Sequence, residues 1–318
     1  FISGVWWSGA YYLADIASIN GYDLGRRLNS RNDNVFAWKT GPFYSMDGNA
    51  SPGSLQDTLE TKWPFDKVSQ EDSDSFRDRI VQARSPHGPE HNCCKLSTFC
   101  MMTPLINSAF PDAPIINVIR NPIDVSTYES DNYFLNLTLQ DRAQRKTHTD
   151  DIDFVEAMGY LFDSIGDLRW KVKPTSETGW HVDTRVKPIL WNLLYTLRWV
   201  MIQDRLNLDI QTHNIENHHT IKFEDIVQND KEELEKLQDI LAIPGKLKMP
   251  APPLEDPLKM YREAYRYKAT LLPALENKKL MGGTTNLLKA IYQISKPYLE
   301  RFEYTETIEI FENLKAIK

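Results

Sequence analysis

Residues 1–16, FISGVWWSGAYYLADI, constrain the chain more than any other stretch. An apolar run at 1–5 predicts a buried strand, Ser8-Gly9 a tight turn, and residues 10–19 carry apolar side chains at helical spacing. A strand that turns sharply into a helix leaves the first helical amides unpaired, with the positive end of the helix dipole at the turn, which suits an anion. A phosphate-binding loop of the Walker kind would need Gly-x-x-x-x-Gly-Lys-Ser/Thr. Here Trp6 and Trp7 stand where a Lys or Arg would be expected. The plainer reading is an ordinary strand-to-helix turn of an α/β domain.

A second unit of the same kind follows. PIINVI at 114–119 is a β-branched run typical of a strand buried on both faces, and it ends in Arg120-Asn121-Pro122, with Pro122 in the favoured first turn of a helix. Two strand-loop-helix units predict a parallel, doubly wound sheet with its ligand at the carboxyl ends of the strands.

The 318 residues, 41% apolar and 25% charged, suffice for one large α/β domain or a core with a helical cap. A net charge of −7 argues against broad electrostatic attachment to nucleic acid or to an anionic membrane, and leaves room for a local basic pocket. No run of 18 apolar residues is present, and no signal peptide is visible. The chain opens inside a strand-like run without Met, so further residues are expected upstream and export stays open. Cys93, Cys94 and Cys100 lie within eight positions without a second Cys or His pair at zinc spacing, and are expected to be reduced core thiols in a cytoplasmic protein, with no metal.

Elsewhere the pattern predicts a short strand at 35–39, a long loop at 41–74, and a charged helix at 75–84. It continues with an interrupted strand at 91–97 and a helix at 99–110. The second half reads as mostly helical, with amphipathic segments at 151–171 and 187–208 joined by a polar linker at 174–185. A strand at 219–223 precedes a helix at 230–241, an irregular proline-rich stretch at 244–257, and helices at about 258–268 and 286–303.

The order of these parts resembles the sulfotransferase superfamily, which transfers a sulfonyl group from 3′-phosphoadenosine 5′-phosphosulfate (PAPS). FISGVWWSGAYYLADI resembles the family's strand-loop-helix, commonly Pro-Arg-Ser-Gly-Thr-Thr in bacterial members. FPDAPIINVIRNPIDVSTYES resembles its second signature, where a strand-end Arg and a helix Ser hold the donor's 3′-phosphate. HTIKFEDIVQNDKEELEKLQDILAIP resembles its later Arg/Lys-Tyr/Phe-Glu-Asp-Leu strand and helix. Asn277-Lys278-Lys279 with Gly282-Gly283 weakly resembles the loop that closes over the nucleotide.

The resemblance implies a three-layer α/β fold with a central parallel sheet, like that of P-loop nucleotide kinases, and a helical cap. It implies one domain over 1–318: 1–135 and 215–245 form the core, 150–210 and 258–318 the cap and closing loop. It further implies PAPS or its product nucleotide PAP as cofactor and a small-molecule hydroxyl acceptor, with a homodimer left open. Ser8, Gly9 and Ala10 would meet the 5′-phosphate, Arg120 with Ser126 or Tyr128 the 3′-phosphate, Lys95 the sulfonyl group, and Lys279 the closed nucleotide.

Departures from the family fall around that same site. The loop cation aligns with Trp7, the two loop Thr with Ala10 and Tyr11, the helix Ser with Tyr128, and the family's His base with Ser97. Such a loop, with Trp6, Trp7, Tyr11 and Tyr12, also suits an aromatic pocket that has abandoned PAPS for other chemistry, such as a carbocation cyclisation, or for binding alone. For a general base the sequence offers Asp23, His87, His91, His148 and His181 in polar segments, of which Asp23 and His91 are the candidates taken forward with Lys95. Glu224-Asp225 read as a structural strand-end pair.

Overall fold

The computed structural model describes residues 1–5, 8–25, 68–83, 91–95, 99–100, 102–125, 172–176, 179–182, 187–250 and 284–313. In chain order the elements are β1 (Ile2–Ser3), α1 (Ala10–Ile19), α2 (Gln70–Ala83), α3 (Thr103–Ala109), β2 (Ile115–Ile119), β3 (Val172–Ser176) and β4 (Gly179–Val182). They continue with α4 (Lys187–Thr212), β5 (His218–Lys222), α5 (Phe223–Val227), α6 (Lys231–Ile240), α7 (Thr284–Arg301) and α8 (Thr305–Asn313). The chain divides into two compact units, Phe1–Arg120 with Ile202–Met260, and Asn121–Met201 with Tyr261–Lys318. It is a mixed α/β protein.

The first unit is built on a parallel three-stranded sheet in the order β1-β2-β5. Strand β2, the continuous run IINVI, lies at the centre with all five residues buried, as a strand covered on both faces requires. Ile2 faces Ile116, and residues 115–119 face His218 to Lys222 in unbroken register. Strand β1 covers only two of the five residues expected at 1–5, because Val5 already turns and its carbonyl accepts the Ser8 amide at 2.9 Å. Alongside it, of the interrupted strand expected at 91–97, residues 91–95 are described and form two parallel bridges, Ile2 with Lys95 and Asp23 with Asn92, while 96–97 lie outside the described residues.

Helix α1 buries Ala10, Leu13, Ala14, Ile16 and Ala17, one stripe at helical spacing. Helix α2 begins at Gln70, inside the stretch expected as loop, because Ser69 and Asp72 form a reciprocal cap: the Ser69 amide donates to Asp72 at 3.1 Å and the Asp72 amide to the Ser69 hydroxyl at 3.1 Å. Helix α3 starts at Thr103 rather than 99, with Pro104 in its first turn. Phe1, Phe76, Phe99 and Phe110 pack together with ring centroids 5.2–6.3 Å apart, a core cluster under the sheet's first strand. On α4, Gln203 meets Asn117 of the central strand: the Asn117 amide donates to Gln203 Oε1 at 3.4 Å, and both side chains are buried.

The second unit corrects the expectation of a polar linker at 174–185. Residues 172–182 contain the antiparallel hairpin β3-β4, in which Val172 faces Val182 and Pro174 faces Trp180. Asn121 accepts the Ile123 amide at 3.0 Å and so opens the helical residues 122–125 at the place expected for Pro122. Helix α8, which the sequence reading did not include, packs on α7 through the stacked rings of Tyr292 and Phe311, 5.1 Å apart. Trp199 of α4 meets Tyr298 edge-on at 5.2 Å. Among the described residues, no helix is long and apolar enough to cross a membrane.

Candidate functional site

In a parallel sheet every strand ends at the same edge, so the segments that follow β1, β2 and β5 are gathered there. The first residues beyond the strands are Gly4, Arg120 and Phe223, the last of which opens α5.

Two glycines shape the first loop. A Cβ on Gly4 would stand 2.2 Å from Ser8 Oγ and 2.6 Å from the Val118 carbonyl, so only glycine lets the chain pass this close to β2. Gly9 caps α1 with φ 91°, a left-handed conformation, and a Cβ there would stand 2.0 Å from the Phe223 ring. Among the described residues no side chain caps α1, and no acidic residue lies in its first turn to offset the positive end of its dipole. Ser8 is 1% exposed, and its hydroxyl has no hydrogen-bond partner among the described residues.

Arg120 leaves β2 at 5% exposure with its guanidinium 5.3 Å from the centre of the Phe223 ring. Tyr12, half-buried on α1, meets the same ring edge-on at 6.3 Å. Burial, followed by the nearby Asp15 carboxylate, raises the Tyr12 pKa above that of a free tyrosine. Phe223 therefore ties the glycine loop, the strand-end arginine and the third strand together. It was missed as a site residue in the sequence, where it reads only as the last apolar position of a strand. The signal was its place directly after the third parallel strand.

Lys95 is 3% exposed and lies beside Ile2, so its backbone stops two residues short of the level of Gly4, about 7 Å at strand rise. His91 and Asp23 belong elsewhere. Helix α1 starts at the carboxyl edge and its ten residues carry the chain back by about 15 Å, so Asp23, beyond its end, pairs with Asn92 at the amino edge. There Asp23 accepts the Gly25 amide at 2.9 Å, and His91 is exposed with its ring 5.5 Å from that of Tyr22. The structure thus brings together Ser8, Gly9, Ala10, Tyr12 and Arg120, sets Lys95 within the sheet, and places the two candidate bases at the opposite edge. Tyr11 is half-buried on α1. His181 lies on β4, in the second unit. Trp6, Trp7, His87, Ser126, Tyr128, His148 and Lys279 lie outside the described residues.

The three cysteines are free thiols, and burial pushes Cys93 up to about 11, which makes it a poor nucleophile. Among the described residues, no three His, Cys, Asp or Glu side chains gather as a metal centre would need.

Fold and site together define a mixed α/β protein with a glycine-bounded loop and an arginine at the carboxyl edge of a parallel sheet. No family model, no curated protein and no solved structure matches the chain.

Proposed function

We propose that the carboxyl edge of the first unit is the phosphate end of a nucleotide site, and that the protein is a sulfotransferase-like enzyme. In this reading it transfers a sulfonyl group from PAPS to the hydroxyl of a small-molecule acceptor. The observation that carries the reading is the meeting of an uncapped helix start, held by a left-handed Gly9, with a strand-end Arg120 around one ring, that of Phe223. The partnerless Ser8 hydroxyl and the open α1 terminus suit a phosphate. Ser8, Gly9 and Ala10 hold the 5′-phosphate through amides and hydroxyl. Arg120, with its guanidinium 5.3 Å from the centre of the Phe223 ring, pairs with the 3′-phosphate, helped by Ser126 or Tyr128. PAPS, when bound, supplies the sulfonyl group. Lys95 neutralises charge beside it, and Lys279 belongs to the closing loop. Neither His91 nor Asp23 serves as the general base in this reading, because both stand at the amino edge.

Calorimetric titration with adenosine 3′,5′-bisphosphate tests the reading. Binding below millimolar concentration is expected, weakened about tenfold or more by Arg120→Lys, which keeps the charge and loses the bidentate fork. A folded sample that shows no binding removes the proposal.

A second reading rests on Trp7 standing where the family carries its loop cation. A cation on the transferring group is worth on the order of 10³ to 10⁵ in rate in related phosphoryl transfer, so its loss favours a pocket turned to other chemistry or to binding alone. Trp7→Arg separates the two. An altered nucleotide affinity supports the transferase; a loss of native activity without any change in nucleotide binding supports the repurposed pocket.

A further inference from the structure

Among the described residues, strand β5 has a neighbouring strand on its β2 side only. Backbone groups point alternately to the two sides of a strand. Asn217 accepts the Ile115 amide at 2.9 Å, so residues 217, 219 and 221 turn their groups toward β2, and His218, Thr220 and Lys222 turn theirs away. An edge that leaves such groups open is a template for pairing with another chain, and charged side chains are a common means of blunting it.

Two side chains of α6 reach that outer edge. Lys236 Nζ donates to the Thr220 carbonyl at 2.7 Å, and the Lys222 amide donates to Glu233 Oε1 at 3.3 Å. Lys236 also donates to Glu233 at 3.1 Å, which joins the two. A carbonyl and the amide two residues further on are the groups that one residue of a further parallel strand would bond. Glu233 and Lys236 therefore supply, from a helix, the acceptor and the donor of a strand residue. Their positions are fixed from behind: the Glu233 amide is held by the Asp230 carboxylate at 3.0 Å, and Leu237, next to Lys236, is fully buried. By contrast, Lys231 and Glu235 pair at 3.5 Å on the same helix with side chains 89% and 66% exposed.

We propose that Glu233 and Lys236 guard the outer edge of β5, and that without them two copies of this chain pair through it. The partner is a second copy because the edge is self-complementary. Turned about a twofold axis, β5 meets β5 antiparallel with Thr220 facing Thr220, each amide donating to the other's carbonyl and the two side chains forming a favourable cross-strand pair. The device is independent of the nucleotide reading, and so is its test.

Glu233→Ala with Lys236→Ala leaves the net charge unchanged, places good helix formers in α6 and exposes no large apolar side chain, so any gain in association belongs to the freed edge. Sedimentation velocity from about 1 to 100 μM is expected to show this variant gaining a concentration-dependent species of twice the native mass. Lys231→Ala with Glu235→Ala removes an ion pair and the same charges from the same helix, and is expected to sediment as the native chain does. Hydrogen exchange locates the contact. In the dilute double variant the Lys222 amide is expected to exchange about tenfold faster than in the native chain. At high concentration the amides of Thr220 and Lys222 slow again, while those of His219 and Ile221, which face β2, do not change. The single variants Glu233→Ala and Lys236→Ala each keep half of the guard and are expected to associate more weakly; they carry the test if the pair together costs the fold. Folded variants that sediment as the native chain at every concentration overturn the proposal. Equal association of the Lys231 and Glu235 variant, or protection that arises away from β5, overturns it as well.

Discussion

Gly9 shows how a single missing side chain positions a site. Its left-handed backbone and the Phe223 ring 2.0 Å from a would-be Cβ are separate reasons for glycine, and Gly21 separates them: it has φ 98° with open space around it. Gly21→Ala is expected to cost about 1–2 kcal/mol from the backbone alone. Gly9→Ala is expected to lose a further ~1–3 kcal/mol because the buried ring must move. Paired chemical denaturation curves measure the difference, and equal losses would show that Phe223 yields freely. At this scale the sequence was informative about backbone and silent about proximity. The turn at Ser8-Gly9 and the strand-end Arg120 follow from local pattern, whereas the arginine's seat on a ring about a hundred residues away does not. His91 and Asp23 were drawn to the site as titratable residues in polar segments, and only the register and the length of α1 show that they face the other edge.

Among the elements, those legible in advance were the ones whose pattern is local and strong: β2 as a β-branched run, α1 and α6 as amphipathic helices with recognisable starts. Asp230, for example, accepts the Glu233 amide at 3.0 Å as the cap of α6. The misreadings share a cause, since polar residues were taken for loop where they were caps or parts of strands. Ser69, Gln70, Glu71 and Asp72 look like surface loop until the Ser-x-x-Asp spacing is read as a capping box. Ser69→Ala is therefore expected to destabilise α2 by about 0.5–2 kcal/mol, and hydrogen exchange should quicken at the amides of residues 72 and 73 before it changes in β2. If exchange at those amides is unaltered, the cap does not hold the helix. Strands β3 and β4 escaped notice because Pro174 and the surrounding polar side chains break the alternation that marks a strand, and cross-strand partners are invisible in a linear reading.

For the molecule as a whole, burial of weak acids sets its response to alkali. Cys93 titrates near 11 in the fold against about 9 when free, so the fold favours the protonated thiol. The stability this confers is complete below pH 9 and is lost as pH rises from 9 to 11. Tyr12 and Tyr22, both raised chiefly by burial, add losses of the same sign above pH 10. Urea denaturation between pH 8 and 11 is expected to show a steep fall, and Cys93→Ala to flatten its first part while leaving the tyrosine part. A fall that keeps its full slope in the variant would place the sensitive group elsewhere.

The amide pair at the centre of the sheet bears on how this chain finds one fold rather than several. Asn117 and Gln203 share one long hydrogen bond, and Asn117 Oδ1 and Gln203 Nε2 are left without partners in a buried setting, an arrangement that costs about 1–3 kcal/mol against an apolar pair. What the pair provides is an address. β2 is otherwise Ile and Val, and a slip along α4 would exchange one branched side chain for another at small cost, whereas any slip that separates the two amides buries both alone. Asn117→Val with Gln203→Leu is accordingly expected to melt higher than either single variant and to refold more heterogeneously, because nothing in that core would then distinguish the native alignment from its neighbours.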